Sequence, residues 1–271
     1  MDPTQKNARD LLELLFRAFP KTCESDGIWE VSSAFSGGLD STLLTAAALK
    51  RFGPAISIAP VVVGLPDGKD LKAAAIAAEE LGLALELEEV CIGPEDVLSA
   101  VPTVARFTEC TDPVVISFTI PLYFVLSTNG PKEVLVGHGG DELFGGYSRY
   151  LRLKPSELQK ALDADLAVAM ERIEKDRKMA SSLDRTLVTP YLDEDFIRKV
   201  QALPPELKVV GKERKVALRS MARELGLSEK LANREKTAAQ YGSGVMKVLK
   251  SETKRRGLVN VTELVNELVG N

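Results

Sequence analysis

Cysteine is scarce here, and the three present, Cys23, Cys91 and Cys110, form no Cys-x-x-Cys pair. That spacing argues against a zinc ribbon, a disulfide framework or a persulfide relay, and the three are expected to be buried or inert. No run of about 18 uncharged apolar residues occurs, which argues against a transmembrane helix. The segment from Met1 to Phe19 has neither a basic n-region nor a small-residue cleavage site, so a cytoplasmic protein is expected. An excess of basic charge is also missing: the net charge is -4 and the pI near 5.4, giving no general footprint for nucleic acid. The basic clusters 212–215 and 254–256 read as solvated helix faces. No internal repeat and no low-complexity segment is present.

What remains is a globular composition, 45% apolar and 27% charged over 271 residues, enough to bury a full core. Strand-like and helix-like stretches alternate through the first half. Ile28 to Phe35 reads as a strand, Thr42 to Phe52 as a helix, Ala55 to Val63 as a strand weakened by Pro60, and Asp70 to Leu81 as a helix stopped at Gly82. Leu83, Leu85 and Leu87 alternate with polar or small residues and predict a half-buried or edge strand. Pro94 to Phe107 and Val114 to Thr128 read as helices, and Lys132 to Val136 as a short strand. Beyond Tyr150 the strand signals end; Leu158 to Ala180 and Val216 to Leu225 look helical, with breaks at Pro190 and Pro204-Pro205. The expectation is an α/β protein, a parallel sheet flanked by helices over residues 1–150, followed by a mostly helical lobe over 151–271 that completes the site.

Two glycine clusters follow strands in this pattern. Ser36-Gly37-Gly38-Leu39-Asp40-Ser41 joins a strand to a helix, an arrangement that lets backbone approach an anion and aims unpaired amides at it. Two hydroxyls and one carboxylate around one turn suggest a magnesium-bound nucleotide, because Asp40 alone would repel phosphate. The spacing is neither that of the P-loop nor that of dinucleotide folds. Gly137 to Tyr147 holds five glycines with Asp141 and Glu142; a packed element has no use for so many, whereas a loop wrapped round a ligand does. Ligands collect at the carboxyl ends of parallel strands, so both clusters should face one site, and Asp40 and Asp141 could share Mg²⁺ there.

These two stretches resemble the synthetase domain of the asparagine synthetase B and β-lactam synthetase family, within the PP-loop ATP pyrophosphatases. The first matches its Ser-Gly-Gly-Leu-Asp-Ser signature in full, and the second matches Gly-Glu-Gly-Ser-Asp-Glu-x-Phe-Gly-Gly-Tyr at most positions. Gly64-Leu65-Pro66 with Asp70 to Ala74, Pro190-Tyr191-Leu192-Asp193, Lys215 to Arg219 and Arg234-Glu235-Lys236 resemble further family stretches in the same order. The resemblance implies a Rossmann-like fold of the adenine nucleotide alpha hydrolase type. It implies that ATP adenylates aspartate or a similar carboxylate with release of pyrophosphate, and that ammonia or an amine then attacks to give amide and AMP. ATP and Mg²⁺ would be the cofactors. Phe35, Ser36, Gly37, Gly38, Asp40, Ser41, Val63, Val136, Gly137 and Tyr147 would bind the nucleotide, Asp40 and Asp141 the metal, and Lys236, Lys215 and His138 would be catalytic.

The chain departs from that pattern in three places. Asp2 stands where glutamine-using members carry a nucleophilic cysteine, and no room for a glutaminase domain precedes Ser36. Free ammonia, ammonia from a separate glutaminase subunit and a different amine therefore remain open, as does a homo-oligomer. His138 replaces the family's catalytic glutamate and could take a proton from an amine, or be a structural hydrogen-bonder. Leu183 to Pro190 has different spacing from the family's Leu-Glu-x-Arg-x-Pro, so a substrate role for Asp184 is not implied. Two other readings stay open, a PP-loop enzyme modifying nucleotides or transfer RNA and a nucleotide-binding relative without synthetase activity.

Overall fold

The computed structural model of the protein describes residues 3–20, 27–66, 68–234 and 239–270. Helix α1 (Pro3–Ala18) precedes β1 (Trp29–Ala34), α2 (Leu39–Phe52), β2 (Ile56–Gly64), α3 (Lys69–Glu80) and β3 (Glu88–Cys91). Then follow α4 (Pro94–Thr108), α5 (Pro113–Leu126), β4 (Glu133–Leu135), α6 (Gly140–Phe144), α7 (Pro155–Ser182) and β5 (Thr186–Val188). The chain continues through α8 (Glu194–Gln201), β6 (Val209–Val210), β7 (Glu213–Arg214), α9 (Val216–Glu224), α10 (Glu229–Ala232), α11 (Ala239–Gly242), α12 (Val245–Arg255) and α13 (Val261–Gly270).

Five parallel strands form one sheet in the order β3-β2-β1-β4-β5. Strand β1 is central because its Val31, Ser32 and Ser33 are buried and pair on both sides. One helix group, α1, α2, α8, α9 and α10, packs together, and a second is built from α4, α5, α11, α12 and α13. The two flank the sheet, as expected for an α/β fold of this kind, and apolar residues of the strands and both groups form one continuous core. From β1 the chain winds outward to β2 and β3, and then returns to the other side of β1 as β4 and β5. The strand order therefore reverses between β1 and β4, and the crevice at that reversal, outside the carboxyl ends, is where such sheets bind ligands.

Several expectations need correction. The alternating Leu83 to Leu87 segment is a turn, with Leu85 99% exposed. The edge strand is β3, five residues on, where pairing of Glu88 with Val61 sets the register. Strand signals do not end at Tyr150: β5 pairs with β4 and completes the sheet, although three residues are too few for a visible alternation. Pro60 is accommodated in β2 because the pairing with β3 begins only at Val61. The basic cluster 212–215 is no helix face. Glu213 and Arg214 form half of a two-stranded hairpin with β6, and Lys215 is 3% exposed. Cys91 is exposed and Cys110 half-buried, both as free thiols, so of the two alternatives expected, buried or inert, burial does not hold for Cys91; Cys23 lies outside the described residues. Among the described residues no single helix is long and apolar enough to cross a membrane.

Candidate active site

The chain leaves β1 through a turn that only glycine can make. Gly37 has φ +65°, and a Cβ there would overlap the backbone of Ala73 at the start of α3. Gly38 then caps α2 with extended backbone and no side chain over the exposed amides. Ser41 Oγ donates to the Gly38 carbonyl at 3.2 Å, and the Gly38 amide donates to Ser36 Oγ at 3.3 Å. Both hydroxyls are thus held beside the amino end of a helix fourteen residues long, where its dipole favours an anion.

The second loop leaves β4 and packs onto the first. A Cβ on Gly140 would come within 2.6 Å of Asp40 Oδ1, so α6 begins directly against that carboxylate. Gly139, with φ +91°, makes the entry, and Gly145 and Gly146 make the exit. Gly146 must lack a side chain because Asp141 and Lys215 occupy that space.

Lys215 joins the two loops. Its Nζ lies 2.5 Å from Asp40 Oδ2 and 2.7 Å from Asp141 Oδ1. Burial pushes the ammonium towards neutrality, but the charges of Asp141 and Asp40 and their hydrogen bonds outweigh it, so its pKa stands above the ordinary lysine value. The position is set by backbone as well: Lys215 has φ +59° at the junction of the hairpin with α9. Arg214 donates to the Gly146 carbonyl at 2.6 Å and ties the same junction to the second loop. Tyr191, fully buried after β5, donates to the Asp40 carbonyl at 3.0 Å and fixes that residue from behind.

Beside this triad stands a second set of polar groups. His138 Nε2 is 3.2 Å from Asp176 Oδ2, and Asp176, on α7, is 2% exposed. Glu142 accepts a 2.5 Å hydrogen bond from the Tyr147 hydroxyl and faces Arg172 Nη2 at 3.6 Å. Burial and the neighbouring Glu142 and Asp141 charges raise the Tyr147 pKa, so its phenol stays a donor. The Arg172 guanidinium lies over the Phe118 ring, 4.8 Å from its centre. On the far side Asp70, buried at the start of α3, is pushed up to about 7 by burial against the opposing pull of Arg234.

Most of these side chains surround one cleft of about 600 Å³. Phe35, Ser36, Gly38, Asp40 and Ser41 line it from the first loop, Val63 from β2, Val136, Gly137, His138, Asp141 and Tyr147 from the second loop, and Lys215 from the hairpin. Gly37 turns away behind it, against Ala73. Lys236 lies outside the described residues, while Arg234 reaches the cleft and Arg219 binds the Ala232 and Arg234 carbonyls just before it. The amide of Leu65 donates to the Ser243 carbonyl at 2.9 Å and the carbonyl of Gly64 accepts from the Ile92 amide at 3.0 Å, which ties the end of β2 to the segments beside it. Asp184 is exposed and paired with Lys132 at 2.6 Å. Both residues precede strands, at the amino end of the sheet and away from the cleft.

Sequence reading missed Asp176, Arg172 and Tyr191. Tyr191 falls in a matched stretch but carries no chemistry there; Asp176 and Arg172 sit in a long polar helix where nothing local separates them from surface charges. Among the described residues no cluster of three or more His, Cys, Asp or Glu side chains is placed to hold a metal unaided. Asp40 and Asp141 lie close enough to share one cation, the Lys215 ammonium, and their carboxylates are the kind of oxygen donor that magnesium takes beside phosphates and water.

The sequence pattern of the asparagine synthase family matches residues 10–188 and 156–257. The chain belongs to that family. A protein of Methanocaldococcus jannaschii assigned as glutamine-hydrolysing asparagine synthetase 1 is 29% identical over 271 residues, covering 85% of this chain and 49% of the relative. Glutamine-hydrolysing asparagine synthetase B of Escherichia coli K12 is 30% identical over 193 residues, covering 65% of this chain and 34% of the relative. This family member thus spans about half the length of one curated relative and a third of the other. Among solved structures, the NMN synthetase of Francisella tularensis aligns with a TM-score of 0.42 and 11% identity, covering all of this chain and 94% of that one.

Proposed function

We propose that the protein is a carbon–nitrogen ligase that uses ATP to adenylate a carboxylate, releases pyrophosphate, and passes the acyl group to ammonia or an amine. The observation carrying this reading is the meeting of two glycine loops, from the carboxyl ends of β1 and β4, on either side of the Lys215 ammonium. Amides at the start of α2 and the hydroxyls of Ser36 and Ser41 bind the phosphates. Asp40 and Asp141 would hold magnesium, which would neutralise charge on the phosphate oxygens. The substrate carboxylate oxygen attacks the α-phosphorus, the α–β bond breaks, and pyrophosphate leaves into a cleft where Lys215 offsets its charge; the family resemblance assigns the same task to Lys236. The helices beyond Tyr150 complete the site through Lys215 and Asp176.

In the second step the amine nitrogen attacks the acyl carbon, AMP departs, and the surplus proton goes to His138. Asp176, its carboxylate oxygen 3.2 Å from Nε2, stabilises the imidazolium that this transfer forms. The amine source stays threefold: free ammonia, a separate glutaminase subunit, or an organic amine. A cytoplasmic setting, where ATP is abundant, agrees with this chemistry. ATP–pyrophosphate exchange over a panel of carboxylic acids tests the first step. Exchange stimulated by particular acids supports the reading, and none with any acid while ATP still binds would leave a nucleotide-binding relative.

A further inference from the structure

Resting on the ligase reading, we infer that one of the two organic substrates is an elongated molecule carrying an apolar group remote from the reacting carbon. Helix α7 lines the cleft with Asp165, Val168, Arg172 and Asp176, spaced three, four and four residues apart, which puts them on one helical face. Exposure falls along that face from Val168, 61% exposed, to Asp176 at the floor beside His138. Eight residues of helix separate the two, about 12 Å at 1.5 Å per residue. Opposite runs α5, whose Val114, 48% exposed, and Phe118 line the same cleft. Arg172 on Phe118 closes the two helices over each other midway.

The stretch of α7 from exposed Val168 to buried Asp176 is longer than a short diacid such as aspartate or a molecule of ammonia spans, and Val114 adds an exposed apolar side chain to the same cleft. Scattered exposed valines are ordinary, but two that line one reaction cleft from two different helices make an apolar subsite. Arg172 between them serves a substrate whose middle carries an acceptor, because its contact with Glu142 is only a 3.6 Å approach. The acid and the amine are chemically equivalent as sources of the apolar group. The bond that each contributes lies at the same end.

The test compares acids from aspartate to alkyl- and aryl-extended homologues in ATP–pyrophosphate exchange, and amines from ammonia to aryl-alkylamines in amide formation. Val168→Asp and Val114→Asp, both at exposed positions, are measured beside the parent protein. The inference expects an extended substrate to be favoured by roughly 10-fold or more in kcat/KM, mainly through KM, with Val168→Asp removing most of the gain. Preference in exchange assigns the group to the acid, and preference only in amide formation assigns it to the amine. Aspartate and ammonia serving as well as any homologue, with both variants unchanged, would overturn the inference while the ligase reading stands. Absence of exchange with every acid would overturn both.

Discussion

Lys215 Nζ and Asp141 Oδ1 are 2.7 Å apart, and the same ammonium reaches Asp40 on the opposite loop. One buried cation thereby bridges the two glycine loops. Lys215→Met removes that cation and leaves two carboxylates facing each other, so thermal or urea unfolding should show a loss of about 3 kcal/mol in magnesium-free buffer. Millimolar magnesium should recover part of the loss in the variant and add less to the parent. An unchanged unfolding midpoint would contradict the pairing.

The turn at Gly37 should tolerate no side chain. Gly37→Ala places a Cβ at φ +65° against the Ala73 backbone, a combination expected to cost about 3 kcal/mol or more. Gly53→Ala is the matched control, because its added Cβ meets nothing within 4 Å although φ is also positive. Denaturant midpoints that ranked the two equally would show that the close approach of α3 is not what demands glycine.

Asp70 gives a pH dependence. Its carboxyl is raised from 3.8 to about 7, burial being the larger cause and Arg234 opposing it. The folded state therefore binds the proton more tightly than the unfolded chain. That favours folding below pH 4, and the advantage is lost as pH rises from about 4 to 7. Asp70→Asn should flatten the curve in that window and raise stability at pH 8, by at most ~4 kcal/mol. Urea unfolding from pH 4 to 8 checks it; parallel curves for the two proteins would refute the assignment.

The two steps should separate genetically. His138→Ala should lower amide formation by roughly 10²-fold or more while ATP–pyrophosphate exchange stays within a few-fold. Asp176→Asn should give a smaller loss confined to the same step. Equal losses in exchange and amide formation would make the His138–Asp176 pair a structural brace.

Much of the fold was legible because it rests on local chemistry. The turn at Gly37-Gly38, the helix stop near Gly82 and the apolar strands β1 and β2 announce themselves in sequence. What was not legible depends on partners distant in the chain. The edge strand fell at Glu88 because pairing with Val61 sets it, overriding the better alternation of Leu83 to Leu87. Lys215 read equally as a solvated cluster, since only the approach of Asp40, 175 residues away, makes it the centre of the site. Asp176 had no local signal at all: its meaning comes from one imidazole 3.2 Å away.

The central claim is that the α–β bond of ATP is cut, and the products of ATP labelled at the α-phosphorus test it most directly. Incubation with magnesium, an exchange-active acid and an amine should yield labelled AMP in step with unlabelled pyrophosphate. Labelled ADP with inorganic phosphate would contradict the account.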